Sequence, residues 1–162
     1  PGKRLWAWNE GMSMERRNEM IHYVSGNIFD SPAQTLVNPV NTVGVMGKGL
    51  ALEFRRRYPN MFDEYKKQCR DGWLHVGDLM LWRAKDHFVL NFPTKKHWKD
   101  PSSLIYVEAG LLSFVNKYES YGISSIAFPK LGCGNGGLDW KTVKPVMERY
   151  LQELPIDVYI YI

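Results

Sequence analysis

Apolar residues alternate with polar ones in several short runs of the chain, and in longer runs they recur every three or four positions. Alternation is typical of strands, and the longer spacing is typical of amphipathic helices. The turn at Ala84–Asp86 predicts a hairpin, and Asn38-Pro39 predicts the end of a strand. The predicted strands are Ile21–Val24, Thr35–Val37, Asp78–Arg83, His87–Asn91, Ser125–Phe128 and Asp157–Tyr161.

Four helices are predicted from the apolar spacing and from their end signals. The first runs from Lys48 to Tyr58 and is ended by Pro59, and Asn60 is the expected N-cap of a second helix through Arg70. A third follows Pro101 with Ser102 or Ser103 as its cap, and a fourth starts at Asp139. The positions expected to face the core are Leu50, Ala51, Phe54, Tyr58, Phe62, Tyr65, Leu104, Val107, Leu111, Leu112, Val115, Val143, Val146, Met147, Tyr150 and Leu151.

Strands and helices alternate over most of the chain, and this order predicts an α/β domain with a mixed, mainly parallel sheet between helices. In such sheets ligands bind beyond the carboxyl ends of the strands. Residues 1–19 show no periodic pattern and are expected to be an arm that is disordered or derived from a cloning vector. We therefore predict one domain, at residues 20–162.

The composition narrows the functional classes. The chain has 162 residues, 44% of them hydrophobic, and a net charge of +4. No apolar run is long enough for a membrane span. The two cysteines, Cys69 and Cys133, are far apart, so we expect both to be reduced thiols in a cytoplasmic protein. We also expect the protein to be a monomer that uses no metal and no cofactor. Basic runs at Arg55–Arg70 and Lys95–Lys99 are either solvated surface or contacts to a polyanion.

Two glycine-rich segments each follow a predicted strand and precede a helix. We call Asn38–Gly49 the first glycine loop and Leu131–Leu138 the second glycine loop. Glycine lets the backbone approach a ligand closely, and a helix N-terminus favours anions. The first loop does not satisfy the Walker A pattern, because Gly49 rather than Ser or Thr follows Lys48. The pair predicts a ligand with two phosphates, or with one phosphate flanked by sugars.

A third segment, Asn91–Trp98, which we call the lysine loop, also follows a predicted strand. Its adjacent lysines, Lys95 and Lys96, are surface charges, phosphate contacts or catalytic groups. A lysine that is partly desolvated or near another cation has a lowered pKa, and its neutral amine is a nucleophile or a base. His97 and Trp98 either stack on an unpaired base or pack at the rim.

Three stretches, LVNPVNTVGVMGKGLALEFRRRYP, NFPTKKHW and LGCGNGGLDW, occur in the order found in macrodomains. Over about residues 20–162 the chain resembles the macrodomain family and, more narrowly, its DarG-type DNA ADP-ribosyl glycohydrolase antitoxins. The resemblance implies a three-layer α/β/α macrodomain fold. It also implies removal of ADP-ribose from thymidine in single-stranded DNA, against a DarT-type ADP-ribosyltransferase toxin.

The resemblance also implies roles for individual residues. Lys95 stands at the catalytic position, and Lys96 is expected to lower its pKa. Asp139 either assists the reaction or caps the last helix, and the family aspartate that contacts adenine is replaced by Asn27. The residues implied in ADP-ribose binding are Asn27, Ile28, Asn38, Asn41, Gly44, Val45, Met46, Gly47, Lys48, Gly49, Thr94, Gly132, Cys133, Gly134, Asn135, Gly136, Gly137 and Leu138.

Three other functions remain open on this fold. The first is an ADP-ribose-binding module without turnover, which needs the glycine loops but no lysine. The second is a hydrolase of protein-linked ADP-ribose, although the family's Gly-Gly-Val-Asp motif is replaced here by Gly-Val-Met-Gly-Lys-Gly at residues 44–49. The third is a phosphatase for ADP-ribose 1″-phosphate. Cys133 as a nucleophile is disfavoured, because no histidine is close to it in the sequence.

Overall fold

A computed structural model describes residues 20–162 and contains one six-stranded sheet with four α-helices. The expected arm at residues 1–19 lies outside the described residues. The strands are β1 (Ile21–Val24), β2 (Thr35–Val40), β3 (Met80–Arg83), β4 (Phe88–Pro93), β5 (Ser125–Phe128) and β6 (Asp157–Tyr161). The helices are α1 (Gly49–Arg57), α2 (Pro59–Arg70), α3 (Leu104–Lys117) and α4 (Trp140–Leu151).

The sheet order is β1-β6-β5-β2-β4-β3, and every neighbouring pair is parallel except β3 and β4. The predicted mixed, mainly parallel sheet and its hairpin are confirmed. Because five strands run the same way, the loops that follow β1, β2, β4 and β5 emerge at one edge of the sheet. The two glycine loops follow β2 and β5, which are neighbours in the sheet.

Helices cover both faces of the sheet. Successive residues of a strand point to opposite faces, so Leu36 packs with α1 and α2 while Val37 packs with α3 and α4. Both side chains are fully buried. Strands buried on both faces read as nearly continuous apolar runs, and β2 and β4 do so apart from Thr35, Asn38 and Asn91. No helix in the described part of the chain has the length and apolar character needed to cross a membrane.

Several predicted element ends and one core position are wrong. Asn60 is not a cap, because Pro59 occupies the first turn of α2, where its missing N–H costs nothing. Asn38-Pro39 does not stop β2: the strand pairs with β5 only at Thr35 and Leu36, so Pro39 interrupts no ladder on that side.

The third helix contains the misplaced core residue. Leu112 was expected inside but is 52% exposed, and Phe114 is fully buried instead. Ser103 lies at the N-cap of α3 without a side-chain capping bond, while the Ser102 hydroxyl donates to Thr94 Oγ1 at 3.2 Å. Ser103 thus occupies the predicted N-cap position without using its hydroxyl, and its N–H donates to the Thr94 carbonyl at 3.2 Å, so both serines connect the start of α3 to the residue after β4.

Candidate active site

A crevice of about 700 Å³ opens where β2, β4 and β5 end, within the size range of small-molecule sites. All three loops singled out in the sequence contribute to it. The predicted site residues that line it are Asn41, Val45, Gly47, Lys48, Thr94, Lys95, Gly132, Cys133, Gly134, Asn135 and Gly136. Those that lie outside its lining are Asn27, Ile28, Asn38, Gly44, Met46, Gly49, Gly137, Leu138 and Asp139.

Asn41 holds the first glycine loop in shape. Its Oδ1 accepts from the Val43 N–H at 3.1 Å and from the Tyr65 hydroxyl at 2.8 Å, and its Nδ2 donates to the Val45 carbonyl at 2.8 Å. Tyr65 is buried, and this burial raises the pKa of its phenol, so the hydroxyl stays a donor. Asn41 lines the crevice, but its amide is used to build the loop.

Asn38 and Met46 are buried residues that lie outside the crevice lining. Both side chains are fully buried, and Asn38 Nδ2 donates to Asn91 Oδ1 at 3.0 Å. Asn91 Nδ2 in turn donates to the Met80 carbonyl at 3.3 Å. This buried amide pair ties β2 to β4 and β3, directly below the loops.

The first turn of α1 faces the crevice, and the N–H groups of Leu50 and Ala51 donate to no acceptor in residues 20–162. Lys48 occupies the N-cap position and makes no side-chain capping bond, and Lys48, Leu50 and Ala51 line the crevice. The first N–H groups of a helix have no partner within it, and the helix dipole favours negative charge there. The geometry fits a phosphate group.

The second glycine loop supplies further amides from the opposite wall. Its short 3-10 helix, Gly134–Gly136, begins with the N–H groups of Gly134 and Asn135, which donate to no acceptor in residues 20–162. Gly136 lies so close to Ser102 that a Cβ there would be 2.9 Å from the Ser102 Cβ. Glycine at position 136 therefore lets this loop pack against the start of α3.

The lysine loop is tied to both neighbours by hydrogen bonds. The Lys96 carbonyl accepts from the N–H and from the hydroxyl of Thr42, each at 2.9 Å. The Thr94 N–H donates to the Val40 carbonyl at 2.9 Å. The link to the second glycine loop passes through Ser102, whose hydroxyl donates to Thr94 Oγ1 at 3.2 Å and whose N–H donates to the Gly136 carbonyl at 2.8 Å. The three loops thus form one connected rim.

Lys95 is the lysine of this loop that lines the crevice. Partial burial lowers the pKa of its amine, the positive charge of Lys48 lowers it further, and Asp100 opposes the shift. The expectation that Lys96 would lower this pKa is wrong: Lys96 is exposed, with its amine 5.8 Å from the centre of the Tyr106 ring. The second cation comes from the first glycine loop, which sequence proximity could not indicate.

Three other predicted residues have structural explanations. The Asp139 carboxylate accepts from the Lys141 N–H at 3.0 Å and caps α4, as the second of its two readings had it. Burial raises the pKa of the Cys133 thiol, which disfavours the thiolate at neutral pH. Asn27 is exposed, and its Oδ1 accepts from the Phe29 N–H at 3.0 Å at the start of a short 3-10 helix.

Some lining residues were not singled out from the sequence. Pro129, Lys130 and Tyr161 line the crevice together with Ser102. Tyr161 ends β6, two strands from β2, and only the strand order could have placed it there. The described residues include no cluster of three or more metal-binding side chains.

A family model described as Macro domain matches residues 37–147. The DNA ADP-ribosyl glycohydrolase of Mycobacterium tuberculosis is 45% identical over 147 residues, which are 88% of this chain and 42% of that relative. The chain therefore spans less than half the length of this relative.

Solved structures match the same region. The macrodomain of Mycobacterium tuberculosis DarG superimposes with a TM-score of 0.84 at 45% identity, covering 87% of this chain and 96% of that one. The Thermosipho africanus DarTG protein, solved in complex with ADP-ribose, superimposes with a TM-score of 0.84 at 40% identity, covering 87% of this chain and 41% of that one.

Proposed function

The chain belongs to the macro domain family, and from this premise we propose that it is a glycohydrolase that removes ADP-ribose from thymidine in single-stranded DNA. The observation that carries the proposal is Lys95, a partly buried lysine with a lowered pKa that lines a crevice between two amide-bearing loops. The relatives named as DNA ADP-ribosyl glycohydrolases support the substrate class.

The proposal assigns the pyrophosphate to the backbone. The free amides at the start of α1 and at Gly134 and Asn135 face the crevice from two walls, as a ligand with two phosphates requires. The distal ribose then lies towards the lysine loop, with C1″ near Lys95. The adenine end is assigned to the side of β1, where Asn27 replaces the family aspartate and offers an uncharged acceptor.

Lys95 has two chemically distinct roles within this proposal. In the first, its neutral amine attacks C1″, the bond from C1″ to the base nitrogen breaks, and the base takes up a proton. Opening of the ribose ring then gives a protonated Schiff base, which water hydrolyses to release ADP-ribose and the free amine. In the second, the ammonium orients the ribose and stabilises negative charge on the departing base. Borohydride reduction distinguishes the two, because only the Schiff base is trapped as a stable adduct.

The decisive experiment compares release of ADP-ribose from a thymidine-ADP-ribosylated oligonucleotide by the wild type and by Lys95→Ala. A positioned proton-transfer or nucleophilic group contributes about 10²- to 10⁴-fold, so Lys95→Ala is expected to lower kcat by at least about 100-fold. Its affinity for ADP-ribose should change little. Lys96→Ala is the matched control, since Lys96 is exposed and outside the crevice lining.

Two results would overturn the proposal. If the wild type released no ADP-ribose but bound it, the protein would be a binding module. If Lys95→Ala and the wild type released it equally fast, the catalytic group would lie elsewhere. The proposal extends to a toxin partner, a DNA ADP-ribosyltransferase, because a relative from Thermosipho africanus is a fusion of that transferase with the glycohydrolase.

A further inference from the structure

Large apolar side chains are exposed at the mouth of the crevice. Trp98 is 46% exposed and Val45 is 37% exposed, and both line the crevice. Val43, in the same loop as Val45, is 45% exposed. Exposed apolar side chains that line a crevice mark a surface that is covered when a ligand binds.

The backbone that carries Trp98 is held in place on both sides. The Lys96 carbonyl is bound twice by Thr42, and the Asp100 N–H donates to the His97 carbonyl at 3.0 Å. The His97 ring lies 5.2 Å from the Trp98 ring, with an angle of 34° between the planes. These bonds hold the backbone on both sides of Trp98, and the His97 ring contacts one side of the indole.

The chemistry around Trp98 suits a flat ring on a charged strand. The Lys99 amine lies 5.1 Å from the centre of the indole ring, at the end of a long flexible side chain that an incoming ring can displace. Proteins that bind single strands combine such cations with aromatic side chains on which bases stack. Lys95 lines the same crevice three residues earlier.

We propose that Trp98 is the stacking surface for the nucleobase joined to C1″, and that it selects base-linked over other ADP-ribose. This inference rests on the proposed function, because it places the base beyond C1″ at the mouth of the crevice. The phosphates and riboses are bound deeper, by the glycine loops, so Trp98 adds affinity only when a base is attached. ADP-ribose linked to a carboxylate side chain presents no ring at this position.

The test measures two dissociation constants, for ADP-ribose and for an oligonucleotide with ADP-ribosylated thymidine. Both are measured in the Lys95→Ala background, so that the oligonucleotide stays intact. Stacking on an aromatic side chain corresponds to about a 5- to 150-fold change in Kd per base. Trp98→Ala should weaken oligonucleotide binding by that factor and change the Kd for ADP-ribose by less than about twofold. Trp98→Phe should restore most of the lost affinity.

The control is Trp73→Ala, because Trp73 is 74% exposed and lies outside the crevice lining. It should leave both dissociation constants unchanged. Equal weakening of both ligands by Trp98→Ala would mean that the indole only supports the loop, and no weakening of either would mean that the base lies elsewhere. Both results overturn the inference without touching the proposed function, which fails separately if the wild type does not release ADP-ribose from the oligonucleotide.

Discussion

Replacing Gly136 by alanine is expected to damage the crevice through one steric contact. A Cβ at Gly136 would overlap the Ser102 hydroxyl and lie 2.9 Å from the Ser102 Cβ. Ser102 would have to move, which weakens its N–H bond to the Gly136 carbonyl, 2.8 Å long, and its hydroxyl bond to Thr94, 3.2 Å long. The second glycine loop and the lysine loop would then separate.

The magnitude follows from these contacts. Overpacking costs about 1–3 kcal/mol and the two weakened hydrogen bonds together about 1 kcal/mol, so Gly136→Ala should lower the free energy of unfolding by about 2–4 kcal/mol. For a domain of this length each kcal/mol lowers Tm by about 2–4 °C, which gives a decrease of about 4–16 °C. Thermal unfolding and calorimetric titration with ADP-ribose would measure the loss of stability and of affinity.

The double variant Gly136→Ala/Ser102→Gly tests the cause. Removing the Ser102 side chain removes the overlap, so it should recover part of the stability lost in Gly136→Ala. Gly137→Ala is the matched control: a Cβ there meets no atom within 4 Å, and its cost of about 1–2 kcal/mol comes from the positive φ of 80°. If Ser102→Gly relieved neither variant, or both equally, the steric explanation would be refuted.

The remaining predictions concern charge, capping and loop support. Lys48→Met removes a positive charge that lowers the pKa of Lys95, so this pKa should rise. If the neutral amine reacts, the rise of kcat/KM with pH should therefore move to higher pH. Lys48→Arg keeps the charge and should leave the profile in place. An unchanged pH profile in Lys48→Met would contradict this coupling. Asp139→Ala should cost about 1 kcal/mol of stability in denaturant titrations, and Asp139→Asn should retain it, because asparagine caps helices as well as aspartate. A large loss of kcat in Asp139→Asn would instead favour the assisting role. Tyr65→Phe removes the hydroxyl that donates to Asn41. It should lower the free energy of unfolding by about 1 kcal/mol and should also weaken the binding of ADP-ribose. Unchanged affinity would show that the first glycine loop keeps its shape without this bond.

The sequence was sufficient for the fold class, because the helices and most of the strands carry a hydrophobic pattern of their own. Element ends were less predictable where tertiary pairing decides them: Pro39 remains in β2 because β5 pairs only with the start of that strand. Leu112 follows helical spacing as well as Leu111 does, and only the packing of α3 on the sheet excludes it from the core.

The candidate site was also predictable only in part. Glycine and lysine motifs are local signals, so the two glycine loops and Lys95 were predictable. The positive charge of Lys48 lowers the pKa of Lys95, although the two residues are far apart in the chain. Their proximity depends on the parallel pairing of β2 and β4. Likewise, the Asn41 amide bonds to the Tyr65 hydroxyl and to the Val45 carbonyl. The bond to Tyr65 could not be predicted from the sequence, because it depends on how α2 packs against the loop.

Thr42 binds the Lys96 carbonyl through both its N–H and its hydroxyl, so we expect a displacement of the first glycine loop to be passed to the lysine loop. An anion that draws the amides at the start of α1 towards itself would also shift the neighbouring peptide of Lys95. Under the proposed function, we therefore expect phosphate binding and the position of the Lys95 amine to be coupled. Thr42 makes both of the connecting hydrogen bonds although it lies outside the lining of the crevice.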